Sequence, residues 1–156
     1  MLRRGTHASL EQCAILAPVV VLVGWTLIML VWTLAIRLPA LKKAGIDMSK
    51  VYGTRPNQLD GVLPDRAQWP VHNYMHLVEQ PTLFYAIAIT LSVAHAGGGW
   101  NPWLAWAYVG LRIVHSLVQA TVNRVAIRFL LFLLSTLALM ALTVKAGIAI
   151  WWLGGW

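Results

Sequence analysis

Three ionisable side chains share one face of a segment that is otherwise apolar. His72, His76 and Glu79 stand at positions i, i+4 and i+7 of the stretch VHNYMHLVEQPTLFYAIAI, residues 71–89. This spacing places all three on one side of a helix. An ionisable group inside a lipid bilayer is costly and indicates a functional site. The stretch therefore predicts a polar face on a membrane helix, with side chains suited to binding a charged ligand.

A second polar face follows further along the chain. Arg112, His115 and Gln119 stand at i, i+3 and i+7, and Asn123 continues the same face at i+11. At about 1.5 Å per residue, Arg112 lies roughly 15 Å from one membrane surface and Glu79 roughly 13 Å from the other. Both groups are then near the middle of a hydrocarbon core about 30 Å thick. We expect a Glu79–Arg112 ion pair, because opposite charges at one depth compensate each other.

The same antiparallel register predicts two further pairs toward the cytoplasmic side. His76 is level with His115, and His72 is level with Gln119. Pro81 removes a helix hydrogen bond beside the expected ion pair and kinks the segment there. Together these features predict a polar cleft that opens to the cytoplasm.

Two other interpretations of these residues remain open. Buried polar groups also hold membrane helices together without binding anything. Alternatively, His72, His76 and Glu79 with His115 form a metal site, since His-x-x-x-His on a helix can chelate a metal ion. This set lacks a second carboxylate, so we favour a ligand cleft without a metal, in which the histidines serve as hydrogen-bonding groups.

The composition places these groups in a membrane protein. Of 156 residues, 59% are hydrophobic and 11% are charged, whereas soluble domains have about 25% charged residues. The net charge of +7 arises without a basic stripe interleaved with aromatic residues, which argues against a nucleic-acid partner. Cys13 is the single cysteine, so no disulfide forms within the chain.

Four apolar segments predict an all-α integral membrane protein, a bundle of four transmembrane helices in a single domain of residues 1–156. Asn101 is expected to cap the third helix, with Pro102 at its first position. The positive-inside rule places the connections 37–69 and 122–125 in the cytoplasm and both termini outside. Half of the basic residues lie in the first of these connections: Arg37, Lys42, Lys43, Lys50, Arg55 and Arg66. The predicted helices are residues 14–36, 71–96, 102–121 and 126–152.

Two long motifs carry a resemblance to a known family. The stretches HNYMHLVEQPTLFYAIA and VGLRIVHSLVQATVNRVAIRFLLF resemble the MAPEG family, the membrane-associated proteins in eicosanoid and glutathione metabolism, and particularly its bacterial branch. His76 stands where the family pattern has an asparagine, and Gln119 stands where eicosanoid-forming members have a tyrosine. The positions that fit the pattern are Asn73, Glu79, Pro81, Phe84 and Tyr85 in the first stretch, and Arg112, His115, Ser116, Asn123, Arg128 and Phe129 in the second.

The resemblance implies a homotrimer of four-helix subunits that holds glutathione, the expected co-substrate, between neighbouring subunits. It implies that Arg128 is the catalytic residue that activates the glutathione thiol. A fixed cation suits this role because it lowers a thiol pKa of about 8.5. Arginines and a carboxylate match the two carboxylates and the ammonium of glutathione. The expected substrate-binding residues are Arg37, Asn73, His76, Glu79, Arg112, His115 and Gln119.

These expectations lead to two functional hypotheses. The first is a glutathione transferase or peroxidase of the bacterial inner membrane, acting on lipophilic electrophiles or lipid hydroperoxides that enter from the bilayer. The alternative is a non-catalytic trimer that binds membrane lipids or serves as a scaffold without glutathione chemistry. Under either hypothesis the expected partners are further copies of the chain, membrane lipids and lipophilic small molecules.

Overall fold

The computed structural model describes residues 13–53, 59 and 61–154, and it is helical, as the sequence predicts. Arg55 of the predicted basic connection and both chain termini lie outside the described residues. A short 3₁₀ helix occupies Met48–Lys50. The α-helices are α1 (Ala17–Lys43), α2 (Asp65–Glu79), α3 (Pro81–Val93), α4 (Asn101–Thr121) and α5 (Val125–Gly154).

Two of these helices are long and apolar enough to cross a membrane. Helix α1 has 27 residues and a mean hydropathy of 2.5, and α5 has 30 residues and a mean hydropathy of 2.3. In both helices, most residues of the apolar stretch are not buried inside the folded chain. Large apolar side chains that face outward require lipid or another subunit around them. These two apolar helices, together with the resemblance to a family of membrane-associated proteins, indicate that the chain is a membrane protein.

Helix α1 is longer than the predicted residues 14–36. It continues past Arg37 and Pro39 and ends at Lys43. The prediction ended at the first charge because an uncharged run marks the part of a helix that lipid can surround. The backbone hydrogen bonds do not depend on that limit, so the helix extends by about two further turns, which carry three basic residues among apolar ones.

The predicted helix 71–96 is two helices in the structure. Helix α2 begins at Asp65 and ends at Glu79, and α3 begins at Pro81. Gln80 between them keeps helical backbone angles, with φ −67° and ψ −37°, so the two helices are separated by a single residue just before Pro81. The predicted interruption of the helix at Pro81 is thus confirmed, and the kink stays a prediction. The Thr82 hydroxyl donates a hydrogen bond of 2.6 Å to the Glu79 carbonyl at this break. The predicted connection 37–69 is correspondingly shorter, since α1 and α2 enter it from both ends.

Helices α4 and α5 agree with their predicted bounds to within two residues, but the predicted cap of α4 is wrong. Trp100 occupies the N-cap position without a side-chain cap. The Asn101 amide instead donates a 2.7 Å hydrogen bond to the Ala96 carbonyl. This bond ties the start of α4 to the end of the turn that follows α3.

The core lies where α4 packs against the other helices. Helix α4 contacts α5 along much of its length and also packs on α1 and α2. Phe84 of α3 stacks on Tyr108 of α4, with 4.5 Å between ring centroids. The buried Thr33 hydroxyl of α1 donates a 3.0 Å hydrogen bond to the Pro70 carbonyl of α2. These contacts fix α2 and α4 side by side, which brings the two polar faces together.

Candidate functional site

The polar faces of α2 and α4 meet in the antiparallel register that the sequence predicts. The Asn73 amide donates a 2.7 Å hydrogen bond to the buried Ser116 hydroxyl. One turn further, the rings of His76 and His115 meet edge to face, with 6.3 Å between centroids. The predicted pairing of these histidines is thus confirmed.

A cavity of about 220 Å³ opens beside the two histidines. Helix α5 supplies its other wall, which carries one cation among apolar side chains. The cavity thus combines two imidazoles and a guanidinium with an apolar surface. Its lining residues are His76, His115, Val125, Arg128, Phe129 and Phe132.

The sharp connection between α4 and α5 positions Arg128 at this cavity. Asn123 has a positive φ of 52°, in the left-handed region that asparagine tolerates better than most residues. Its backbone N–H donates a 2.7 Å hydrogen bond to the Val118 carbonyl in the last turn of α4. Its side-chain oxygen accepts a hydrogen bond from Nη1 of Arg128. The sequence interpretation of Asn123 as one more residue on the α4 face is therefore wrong, because α4 ends at Thr121.

Arg112 is buried in the protein interior next to the cavity, with 1% of its surface exposed. Its guanidinium carbon lies 5.6 Å from the ring centroid of Tyr108 and 5.3 Å from that of Phe132. Its Nε also donates a 3.3 Å hydrogen bond to the Tyr108 hydroxyl. Such cation–π contacts stabilise a desolvated guanidinium by about 2 kcal/mol.

Neither arginine is fully satisfied by its neighbours. Nη2 of Arg112 and Nε of Arg128 are buried without a hydrogen-bond partner among the described residues. A buried donor on a charged group is expensive to leave unpaired. The two guanidiniums therefore favour an anionic ligand or an acceptor from outside the chain.

The predicted Glu79–Arg112 ion pair is wrong for the single chain. Glu79 Oε2 lies 3.4 Å from Nδ1 of His76, and 62% of the Glu79 side chain is exposed. Glu79 is the last residue of α2, and its exposed carboxylate points away from Arg112, which is only 1% exposed. An exposed pair of this kind contributes little to stability.

The remaining predicted site residues lie outside the cavity. Arg37 is part of α1, and Asn73 and Gln119 are buried between α2 and α4. The Gln119 side-chain oxygen has no hydrogen-bond partner in the described part of the chain. The cavity thus contains His76, His115 and Arg128 of the predicted set.

The structure adds residues that the sequence interpretation did not include. Tyr108 and Phe132 enclose Arg112, and each has a spacing signal, since Tyr108 stands four residues before Arg112 and Phe132 four residues after Arg128. The Gln80 amide donates a 2.9 Å hydrogen bond to the Thr136 hydroxyl of α5. No pattern in the sequence indicates this last contact, because it depends on how α5 packs against the helix break.

The metal interpretation gains no support from the geometry. Across the described ranges, no group of three or more histidine, cysteine, aspartate or glutamate side chains is arranged to hold a metal ion. Within those ranges the two cavity histidines therefore lack the further ligands of a usual metal site.

Comparison with known proteins gives one match. The sequence model of the MAPEG family matches residues 15–148, which include every residue that lines the cavity. No curated protein and no solved structure matches the chain.

Proposed function

The chain belongs to the MAPEG family, and on that premise we propose that it is a glutathione transferase or peroxidase embedded in the membrane. Its substrates are lipophilic electrophiles or lipid hydroperoxides, and Arg128 stabilises the glutathione thiolate. The observation that supports this most is the place of Arg128, whose guanidinium lines a cavity together with His76 and His115. The proposal goes further than the family's general role in membrane-associated eicosanoid and glutathione metabolism.

The two arginines fit the charges of glutathione. Arg128 has an unpartnered Nε and Arg112 an unpartnered Nη2, both buried in the described structure. A guanidinium near a thiol favours the thiolate, which is the nucleophilic form. In our proposal Arg128 holds the thiolate, Arg112 attracts a carboxylate, and His76 and His115 supply hydrogen bonds.

The reaction needs no further protein nucleophile. In a transferase reaction the thiolate sulfur bonds to an electrophilic carbon and a leaving group departs with the bonding electron pair. In a peroxidase reaction two glutathione molecules give one disulfide while the hydroperoxide becomes an alcohol and water. The chain's contribution is to position glutathione and to favour loss of the thiol proton to water.

The size of the cavity supports a site that is shared between subunits. Its volume is about 220 Å³, and pockets for small organic ligands usually enclose about 300–1,000 Å³. One chain therefore encloses only part of a tripeptide. We propose that the cavity is completed by a neighbouring copy in a homotrimer, with four spans per chain in a bacterial inner membrane. Both termini are outside in this arrangement, and the connections 37–69 and 122–125 are cytoplasmic.

A direct binding test addresses the proposal first. Glutathione that binds the native state must raise the unfolding midpoint of the detergent-purified protein as its concentration increases. Absence of binding by calorimetry at millimolar concentrations would contradict the proposal. Turnover is then measured with a chlorinated aromatic compound and with a lipid hydroperoxide, which distinguishes the transferase from the peroxidase.

Substitution of Arg128 tests its role in thiolate formation. We expect Arg128→Ala to lower kcat/KM by about 100-fold, comparable to the loss of one donor that stabilises an anionic centre. We also expect the activity profile to move to higher pH, because the bound thiol loses the cation that lowers its pKa. Arg124→Ala is the matched control, since Arg124 is exposed nearby and does not line the cavity. An unchanged pH profile in Arg128→Ala would contradict the assigned role.

The apolar wall of the cavity favours a second candidate function. Val125, Phe129 and Phe132 make half of the lining, and 64% of Phe129 is exposed. This surface suits an acyl chain in a non-catalytic, lipid-binding trimer. Native mass spectrometry that finds retained lipid, with background turnover in both the native protein and Arg128→Ala, would favour this alternative.

A further inference from the structure

A second, larger cavity lies at the opposite end of α1 from the chain's start. It has a volume of about 530 Å³ and is formed by the last turns of α1, the chain before α2 and the first turn of α2. Ile36, Ala40 and Val62 are among its apolar lining residues, and Lys43 and Arg66 are its charged ones. It shares no lining residue with the cavity at Arg128.

The charged groups of this cavity are both cations, and neither has an acidic partner in the described structure. Lys43 and Arg66 are exposed. The nearby Asp47 carboxylate lies 3.4 Å from Nζ of Lys50, so it is already engaged. Asp65 lies beside Arg66 in the sequence, but it forms no ion pair within the described residues. Among the described residues, which exclude Asp60, the cavity therefore presents positive charge without an acidic partner.

The position along α1 adds an independent constraint. Ile36 belongs to the apolar part of a helix that is long enough to cross a membrane, and Lys43 is its last residue. The two are separated by about 10 Å along the helix axis. A bilayer passes from hydrocarbon to headgroups over a comparable distance. With α1 as a membrane span, we expect the cavity to extend from the lipid chains to the level of the phosphates.

We propose that this cavity binds the headgroup of an anionic phospholipid. Lys43 and Arg66 contact the phosphate, and Ile36 and Ala40 contact the glycerol and the first acyl carbons. Basic residues next to a membrane span attract anionic lipid, and arginine matches a phosphate with paired donors. A free phosphate shares the charge but gains nothing from the apolar wall. The proposal does not depend on glutathione chemistry.

Lipid retention provides the test. The detergent-purified protein is incubated with equal amounts of phosphatidylglycerol and phosphatidylcholine, and retained lipid is measured by native mass spectrometry. We expect selective retention of phosphatidylglycerol by the native protein. The variant Lys43→Gln/Arg66→Gln should retain about 10-fold to 30-fold less, the effect of removing two cations next to a membrane. Lys42→Gln is the matched control, because Lys42 is an exposed neighbour that does not line the cavity, and it should change retention by less than about twofold.

A further variant separates a defined site from diffuse attraction. Ala40→Phe places a ring in the cavity and leaves every charge in place, so it should reduce phosphatidylglycerol retention as strongly as the double variant. Unchanged retention in Ala40→Phe, or an equal loss in Lys42→Gln, would overturn the proposal in favour of general surface charge. Full displacement of the lipid by millimolar inorganic phosphate would overturn it in favour of a free-anion site. Circular dichroism checks that each variant keeps the native helix content.

Discussion

Asn123 is the residue that connects the backbone turn to the chemistry of the site. Its positive φ ends α4, and its side chain receives a hydrogen bond from Arg128. One side chain thus sets the direction of the chain into α5 and the orientation of the guanidinium. A guanidinium that is already restrained by a hydrogen bond loses less conformational entropy when it binds an anion, which is the general benefit of preorganisation.

Two substitutions separate these roles of Asn123. Asn123→Gly keeps the left-handed backbone and removes the acceptor of Arg128, so we expect a moderate loss of thermal stability from the lost hydrogen bond and turnover about tenfold lower, because the guanidinium is misplaced. Asn123→Ala removes the acceptor and also strains the backbone by roughly 1–2 kcal/mol, so its unfolding midpoint should fall further. Equal turnover in Asn123→Gly and the native protein would show that Arg128 needs no positioning from this side chain.

The Asn73–Ser116 hydrogen bond is a second test at the level of single residues. Both side chains are fully buried, so Ser116→Ala leaves the Asn73 amide without its partner. We expect a loss of about 1–3 kcal/mol, the cost of an unsatisfied buried polar group. The double variant Asn73→Leu/Ser116→Ala replaces both partners by apolar groups and should recover part of that stability. Thermal unfolding in detergent measures Ser116→Ala, Asn73→Leu and the double variant, and a double variant less stable than the sum of both single changes would contradict this assignment.

At the scale of elements, the break between α2 and α3 is held against α5 by a side-chain hydrogen bond. Gln80 is outside both helices, and its amide contacts Thr136 of α5. The Thr136 hydroxyl also donates a 2.8 Å hydrogen bond to the Phe132 carbonyl. The break is therefore tied to the part of α5 that lines the cavity.

Thr136 and Thr143 form a matched pair for testing this connection. The Thr143 hydroxyl donates a 2.8 Å hydrogen bond to a carbonyl of its own helix, that of Leu139, and no other hydrogen bond of Thr143 occurs among the described residues. We expect Thr136→Val to lower the free energy of unfolding by about 1–2 kcal/mol because it leaves the Gln80 amide unpaired. Thr143→Val should have a much smaller effect. Equal losses in the two variants would show that the contact with Gln80 contributes nothing to stability.

The elements also show what the sequence can and cannot predict. Helical periodicity places His76 opposite His115 correctly, because both lie within regular helices whose rise per residue is fixed. It fails at Asn123, which lies beyond the end of α4 with a positive φ, where the regular spacing no longer holds. At Glu79 the helical spacing holds, but the exposed carboxylate pairs with His76 of its own helix instead of Arg112. The surroundings of Arg112 follow from contacts between helices α4 and α5, which no local pattern in either helix specifies. Arg37, Asn73 and Gln119 remain predicted substrate-binding residues, although they do not line the cavity of the single chain.

At the scale of the whole molecule, the number of membrane crossings is open to a direct test. In a Cys13→Ser background, single cysteines are introduced by Ser49→Cys in the 3₁₀ helix and by Gly98→Cys in the turn before α4. Four spans place these two positions on opposite sides of the membrane. In sealed vesicles of one orientation, a membrane-impermeant maleimide should therefore label only one of them. Labelling of both positions from the same side would show that the segment comprising α2 and α3 does not cross.

The short connection between α4 and α5 has a consequence for biogenesis. Helix α5 is apolar enough to enter a membrane by itself, whereas α4, which carries Arg112 and His115, does not reach the same hydropathy. Only residues 122–124 separate the two helices, so they can enter the bilayer together as a hairpin. In the proposed four-span arrangement we expect α5 to supply much of the insertion energy for both, while the rings of Tyr108 and Phe132 cover the guanidinium of Arg112. The turn at Asn123 thereby lets a polar helix reach a place that its own composition does not favour.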